Sequence, residues 1–239
     1  MPDTLSAETK DQLLKVSVST LTTCLLKRGF RNQTLNGIAP INTDAARMVG
    51  PAYTLRFIPS REDLDTMAEY AKDSNVHRRA MEECPEGHVL MIDARGDTGA
   101  ACGGDIMIAR LQKRGGAGAV TDGGFRDVSD ISALNFPIYH AAISLPSSPI
   151  RHHPVDLNQP IGCGGVAVYP GDIVVGDGEG VIVIPAHIAN EVAREAIEMT
   201  EYENFAAEKV SEGRSIMGLY PSTEDSRKEF EAWAGAKRK

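Results

Sequence analysis

The stretch from His88 to Asp127 constrains the fold more than any other part of the chain. It opens on "HVLMIDA" (88–94), a short apolar run of the kind that forms a strand buried on both faces. A glycine loop follows, and "DIMIARLQKR" then predicts a helix over about 104–114. The break "GGAG" leads into a second strand at about 117–122, and the chain turns at Arg126-Asp127. Strand, helix and strand in this order make a crossover unit, which favours a right-handed connection and a covered sheet. If the strands are parallel, their carboxyl ends open on one edge, where ligands of open α/β sheets gather. The glycine turn before the helix and the Arg126-Asp127 turn then face each other.

The rest of the chain supplies elements around this unit. Leu13, Leu14, Val16, Leu21, Leu25 and Leu26 recur at roughly helical spacing and predict a helix over 5–28, with Gly29 as its stop. "ARMVGPAYTLRFIP" (46–59) has strand chemistry, and the charged segment 62–84 reads as a helix. "FPIYHAAI" (136–143) is a further strand candidate. "GGVAVYPGDIVVGDGEGVIVIP" (164–185) holds three β-rich runs separated by tight-turn signals. A long helix over about 186–212 comes next, and the charged tail beyond Pro221 reads as a short helix or a mobile end. The expected organisation is one domain over 1–239, with 212–239 as a C-terminal extension.

Composition limits the function. With 42% apolar residues among 239, the chain can bury a real core. Its net charge of −8 repels polyanions, so no nucleic-acid role is expected. The basic end "KRK" (Lys237 to Lys239) reads as a solvated tail. The polar N-terminus lacks the apolar run of a signal peptide, and no stretch approaches the roughly 18 apolar residues that cross a bilayer. A cytoplasmic protein without membrane contact is expected. Cys24, Cys84, Cys102 and Cys163 form no CxxC pair and read as structural thiols.

Two turns carry candidate chemistry. Gly103, Gly104 and Asp105 stand at a helix N-terminus, where free amides and the helix dipole favour an anion. The plain alternative is an aspartate N-cap on a glycine turn. Arg126 can grip a carboxylate with its planar fork, and Asp127 can hold a hard cation. Alternatively, Asp127 caps the short helix "DVSDISAL" and Arg126 is a surface residue. Spacing leaves both pairs of readings open. Other residues rank lower. His152 and His153 point apart on an extended chain, and Asp156 lies close by. Asp177 and Glu179 read as turn formers, and Asp93, Arg95 and Asp97 as support at the same sheet edge. Ser147 and Ser148 have no nucleophile-elbow context.

"GGDIMIARLQKRGGAGAVTDGGFRDVSDI", "GGVAVYPGDIVVGDGEGVIVIP" and "RMVGPAYTLRF" resemble the signature blocks of the RraA-like family, over roughly residues 15–212. That family includes metal-dependent 4-hydroxy-4-methyl-2-oxoglutarate/4-carboxy-4-hydroxy-2-oxoadipate aldolases and the regulator of ribonuclease activity A. The resemblance implies an α/β/β/α sandwich with a swivelling-domain-like core and a long C-terminal helix. It implies trimers or pairs of trimers, with sites between subunits. By this resemblance, the amides of Gly104, Asp105, Ile106 and Met107 bind a pyruvate moiety and Arg126 holds it. Asp127 ligates Mg2+ or Mn2+, Asp105 serves the proton transfers, and Glu201 or Glu203 reaches a neighbouring subunit's site. The implied reaction is retro-aldol cleavage of a 4-hydroxy-2-oxo acid to pyruvate, with oxaloacetate decarboxylation as a side activity. The other branch implies a non-catalytic protein-binding regulator. Its members lack the metal-binding aspartate after the motif arginine, whereas this chain has Asp127.

Overall fold

The computed structural model describes residues 5–44 and 47–237. Ala46 of the expected 46–59 strand, and Arg238 and Lys239 of the basic tail, lie outside the described residues.

The expected first helix is two helices, α1 (Ala7–Leu13) and α2 (Val18–Lys27). Tertiary partners take the groups that would continue it. The Val16 carbonyl accepts from Arg47, the Val18 N–H bonds Asp177 Oδ2 at 2.9 Å, and Ser17 caps α2. Gly29 does stop α2, with φ at +85° and the Phe30 N–H returning to the Leu25 carbonyl. Then come β1 (Ala39–Pro40) and β2 (Met48–Pro59). Segment 62–84 holds two short helices rather than one, α3 (Met67–Tyr70) and α4 (Val76–Glu83). Each starts on its own cap, Thr66 and Asn75, so the polar stretch between them interrupts the helix.

The expected crossover unit forms as β3 (Val89–Asp93), α5 (Asp105–Lys113) and β4 (Gly118–Thr121). Next are β5 (Gly124–Phe125), α6 (Val128–Ala133), β6 (Ile138–His140) and β7 (Ala142–Ile143). The expected 136–143 strand is thus split. The Ala141 N–H turns to the Gly123 carbonyl at 2.9 Å, which sends β7 to pair with β5 outside the main sheet. Four strands were not expected from sequence: the two-residue β1 and β5, and also β8 (His152–Leu157) and β9 (Ile161–Cys163). The three runs in 164–185 are β10 (Val166–Val168), β11 (Ile173–Asp177) and β12 (Gly180–Ile184). The long helix is α7 (Ala189–Ser211), followed by α8 (Glu224–Lys237).

β2 organises the main sheet, whose order is β1-β6-β4-β3-β2-β11-β12 with β8 also on β2. Met48–Pro51 pair with β11, Ala52–Arg56 run parallel to β3, and Leu55–Pro59 pair with β8. A bridge from Thr34 to Ile182 ties the segment before β1 to β12, so the sheet nearly closes. Met48, Met91, Val120, Val174 and Val183 fill its inner face. Outside, α4 and α5 bury Met81, Ile108 and Leu111 against Phe57, Leu90 and Ile92. On the other side α1, α2 and α7 bury Leu13, Leu21, Leu25 and Val192 against Val49, Val175 and Ile182. Helices therefore cover both outer faces of a strand-lined core, the expected α/β/β/α arrangement with a long C-terminal helix.

The C-terminal extension is helical and packs on its own chain. Phe205, 1% exposed, meets the rings of Tyr202, Phe230 and Trp233 at centroid distances of 5.6–5.8 Å. The Tyr202 hydroxyl donates to the Leu219 carbonyl and meets Ser226 Oγ at 2.7 Å. Phe205→Ala leaves a cavity in this cluster. It should lower stability by about 3–5 kcal/mol in chemical denaturation, and a loss below about 1 kcal/mol would mean that α8 is only loosely attached.

Candidate functional site

β3 and β4 pair in parallel through Val89–Ile92 and Gly118–Thr121, so their carboxyl ends share one edge. Asp122, just past β4, is buried there. Its carboxylate accepts the N–H groups of Ala94 at 2.7 Å, Gly96 at 3.0 Å and Gly164 at 3.4 Å. Burial pushes its pKa upward, and the amide bonds oppose that shift. The two glycines after it are required by space. A Cβ on Gly123 would stand 2.6 Å from Ala94 Cβ, and one on Gly124 would stand 2.0 Å from Ser144 Oγ. β5 can therefore lie against the loop that enters α5. The Cys102 N–H bonds the Gly124 carbonyl at 2.7 Å, and the Arg126 N–H bonds the Gly103 carbonyl at 3.1 Å. These backbone bonds lace the two candidate turns together.

Gly104, not Asp105, is the N-cap of α5, and no side chain caps this end. Asp105 is the first helical residue, and its side chain makes no hydrogen bond or ion pair among the described residues. The Ile108 N–H makes the first helical bond, to the Gly104 carbonyl at 3.1 Å. The preceding amides of the turn are thus aimed out of the helix at whatever sits before it.

Asp127 holds a left-handed conformation, φ 55° and ψ 38°, which a non-glycine residue adopts at a cost. It occupies the N-cap position of α6, yet its side chain caps nothing. The carboxylate is turned the other way, over the start of α5: a Cβ added to Gly104 would stand 2.4 Å from Asp127 Oδ2. Arg126 Nε donates to that same oxygen at 3.1 Å, and Arg126 Nη1 donates to Ser147 Oγ at 3.1 Å. The two charges, which the resemblance directs to a substrate carboxylate and a metal, meet each other here. The pair is open to solvent, with the side chains 44% and 36% exposed, and such pairs separate at little cost.

Around these groups is a pocket of about 290 Å³. Gly103 to Met107, Arg126 and Asp127 line it. Met67, Tyr70, His77, Ser147 and Ser148 line it as well, with the Tyr70 hydroxyl on Met107 Sδ at 3.4 Å. Sequence reasoning missed Met67, Tyr70 and His77, and it considered Ser147 only as a nucleophile. No periodicity could have found them, because they reach the pocket only through the packing of α3 and α4. His77 is buried, with Nε2 on the Cys102 carbonyl at 2.8 Å and its ring edge-on to Phe57. Burial pushes its pKa down to about 4.

The lower-ranked candidates stand elsewhere. His152 stacks on Phe57 and bonds the Ala100 carbonyl, while His153 meets Asp65 Oδ1 at 2.7 Å, so the two histidines do point apart. Asp156 pairs with Arg56. Asp177 receives the N–H groups of Val18 and Glu179, and Glu179 receives the Ser19 hydroxyl. Asp93 accepts the Arg95 N–H at 2.8 Å, and Arg95 meets Asp97 at 3.6 Å. Glu201 and Glu203 line a different pocket, with Lys27, Tyr220 and Arg227 on its rim. Glu203 there accepts the Thr20 hydroxyl at 3.0 Å. Within one chain, neither glutamate joins Arg126. All four cysteines are buried free thiols, and burial pushes Cys84 and Cys102 up to about 12.

Among the described residues no three His, Cys, Asp or Glu side chains gather as a metal cage. A cation that keeps most of its waters needs less. One solvent-open carboxylate suits Mg2+, which favours oxygen donors and retains waters beside one or two carboxylates. Asp127 over the Gly104 cradle fits that requirement.

The model of the RraA-like family (Aldolase/RraA) matches residues 11–183. The chain belongs to this family. A Halalkalibacterium halodurans protein provisionally named 4-hydroxy-4-methyl-2-oxoglutarate aldolase is 36% identical over 177 residues, which is 73% of this chain and 77% of that protein. Among solved structures, Streptomyces coelicolor RraAS2 superposes on this RraA-like chain with a TM-score of 0.74 at 30% identity. That match covers 86% of this chain and 98% of the other, which is described as an unusual member of the RNase ES inhibitor RraA family. An uncharacterised Pseudomonas syringae protein shares the fold, with a TM-score of 0.80 at 24% identity over 92% of this chain and 95% of its own.

His77 makes stability depend on pH. Its folded pKa, about 4, lies below the ordinary 6.5, so from pH 6.5 down to 4 the unfolded chain takes up a proton that the native chain refuses. Stability is thus full above pH 6.5 and falls as pH drops toward 4. The total loss is on the order of 3 kcal/mol. Denaturation midpoints measured from pH 7.5 to 4.5 should fall less steeply in His77→Gln than in the wild type. Parallel curves would show that His77 is not the group responsible.

Proposed function

We propose that this chain is a divalent-metal-dependent lyase. It cleaves a 4-hydroxy-2-oxo acid by retro-aldol reaction and releases pyruvate, and it decarboxylates oxaloacetate as a side reaction. The observation that carries this reading is the strained Asp127, whose carboxylate lies beside Arg126 over the uncapped start of α5.

Asp127 would hold Mg2+ or Mn2+, and the bound ion would supply Lewis-acid stabilisation of the negative charge that develops on the 2-keto oxygen. Arg126 leaves Asp127 and closes its fork on the substrate carboxylate, with Ser147 steadying the guanidinium. The amides from Gly104 to Met107 take the same carboxylate, so the 2-oxo acid is oriented before reaction with little reorganisation. Asp105, with no partner of its own, receives the proton that leaves the 4-hydroxyl as the C3–C4 bond breaks. Among the described residues no lysine lines the pocket, so nothing described there suits a Schiff-base route. Trimers or pairs of trimers in the cytoplasm complete the proposal, with Glu201 or Glu203 of one subunit reaching the next subunit's site. No helix among the described residues is long and apolar enough to cross a membrane.

The second reading, a protein-binding ribonuclease inhibitor, is favoured by the likeness to RraAS2. A binding surface gives no reason for an aspartate to be held in a left-handed conformation beside an uncapped helix start.

Pyruvate release from a panel of 4-hydroxy-2-oxo acids and from oxaloacetate, with Mg2+ and with chelator, tests the proposal. Metal-dependent turnover is expected, and none on any substrate would leave the inhibitor reading. Asp127→Ala should lower kcat at least about a hundredfold with unchanged circular dichroism; retained activity would remove Asp127 from the site. Arg126→Lys should lower kcat/KM about a hundredfold, because a point charge cannot reproduce the fork. Wild-type kinetics in that variant would contradict the role given to Arg126.

A further inference from the structure

The loop from Ala100 to Gly103 leads into the start of α5, and two kinds of partner hold it. The first kind is backbone. The Ala101 N–H bonds the Pro146 carbonyl at 2.9 Å, the Cys102 N–H bonds the Gly124 carbonyl at 2.7 Å, and the Gly103 carbonyl receives the Arg126 N–H at 3.1 Å. The second kind is a pair of histidines from distant parts of the chain. His152 Nε2 lies 3.1 Å from the Ala100 carbonyl oxygen, and His77 Nε2 lies 2.8 Å from that of Cys102. Both histidines are buried, and both pack on the buried Phe57 of β2. His152 stacks on the Phe57 ring and His77 meets it edge-on, each at a centroid distance of 5.1 Å.

A carbonyl oxygen only accepts, so each Nε2 carries a proton and donates it. Burial lowers both pKa values, to about 4 for His77, which keeps the rings neutral near pH 7 and leaves each Nδ1 bare. In both rings that Nδ1 is enclosed and has no partner. A bare nitrogen in the core is unfavourable, and an aliphatic side chain would fill such space without it. What histidine supplies here is the Nε2–H, and both of these groups go to one loop.

That loop ends where amides are left free. The Ile108 N–H makes the first helical bond of α5, so the amides before it are aimed out of the helix. Their direction follows the peptide planes that precede them. Gly103 and Gly104 have no side chain to anchor those planes, and glycine rotates readily. The carbonyls held by the histidines restrain what the glycines leave loose.

We propose that His77 and His152 are positioning residues: their Nε2–H groups clamp the Cys102 and Ala100 carbonyls and so hold the amides at the start of α5 in the orientation that binds the carboxylate of a 2-oxo acid. The inference rests on the carboxylate-binding role that the lyase reading gives to this turn. Donors fixed before the substrate arrives need little reorganisation during the reaction. Phe57 sets both rings, so β2 orients the loop through two imidazoles. His77 also lines the pocket, whereas His152 lies outside its lining. Any effect of His152 on a ligand therefore passes through the loop.

Paired substitutions separate this role from packing. A glutamine amide reaches as far as Nε2, whereas an asparagine amide reaches only as far as Nδ1 and misses the carbonyl. Calorimetry with the full chain and saturating Mg2+ measures affinity for oxalate, a mimic of the pyruvate enolate. His77→Asn and His152→Asn should each weaken oxalate binding at least about tenfold, and His77→Gln and His152→Gln should recover it to within about threefold of the wild type. In pyruvate release from 4-hydroxy-4-methyl-2-oxoglutarate, the asparagine variants should lose more in KM than in kcat, because the amides hold the carboxylate before and during the step. Circular dichroism checks each fold, and where one asparagine variant does not fold the other decides. Three results would each overturn the proposal: asparagine variants that bind oxalate like the wild type, asparagine and glutamine variants that lose affinity alike, or a wild type that does not bind oxalate. If oxalate binding follows the expected order and no substrate is cleaved, the lyase reading fails and the positioning stands. If pyruvate is released and the asparagine variants bind oxalate normally, the positioning fails and the lyase reading stands.

Discussion

Asp122 sits where three segments meet, and its carboxylate receives N–H groups from the loop after β3 and from Gly164 before β10. The loops at the carboxyl edge of the sheet carry polar backbone that must find partners once buried. Asp122 supplies those partners from a single side chain. With the edge held in this way, Gly123 and Gly124 can press β5 against Cys102 and Ser144, and the backbone bonds at Gly103 and Arg126 follow. The site's two turns are therefore positioned by main-chain geometry rather than by their own charged side chains.

That geometry explains why opposite charges stand next to each other at a strand end. Arg126 and Asp127 pair in this structure, but the pair is exposed and weak, and neither residue is committed to it. The left-handed backbone at Asp127 turns its carboxylate back toward α5 instead of forward along α6, so the helix cap that sequence allowed is not made. The cost of that conformation is spent on bringing an oxygen donor, a guanidinium fork and an unfilled helix terminus within one small pocket.

The parallel unit and both turns were legible in the sequence, because buried strands read as apolar runs and glycines mark the turns between them. The break between α1 and α2 was not, since Arg47 and Asp177 cause it from distant parts of the chain. β8 and β9 were hidden in "RHHPVDLNQPIGCGG", where short polar alternation resembles a loop. Part of the pocket lining was equally hidden. Met67, Tyr70 and His77 belong to a charged segment whose pattern suggested only a helix, and they gain meaning once α3 and α4 pack beside α5.

The central claim is that Asp127 holds the metal over the start of α5. Mn2+ titration followed by electron paramagnetic resonance, with oxalate present as an enolate mimic, tests it most directly. The wild type should bind Mn2+, and Asp127→Asn should weaken that affinity by at least about tenfold while the fold stays intact. Unchanged Mn2+ affinity in Asp127→Asn would contradict the account.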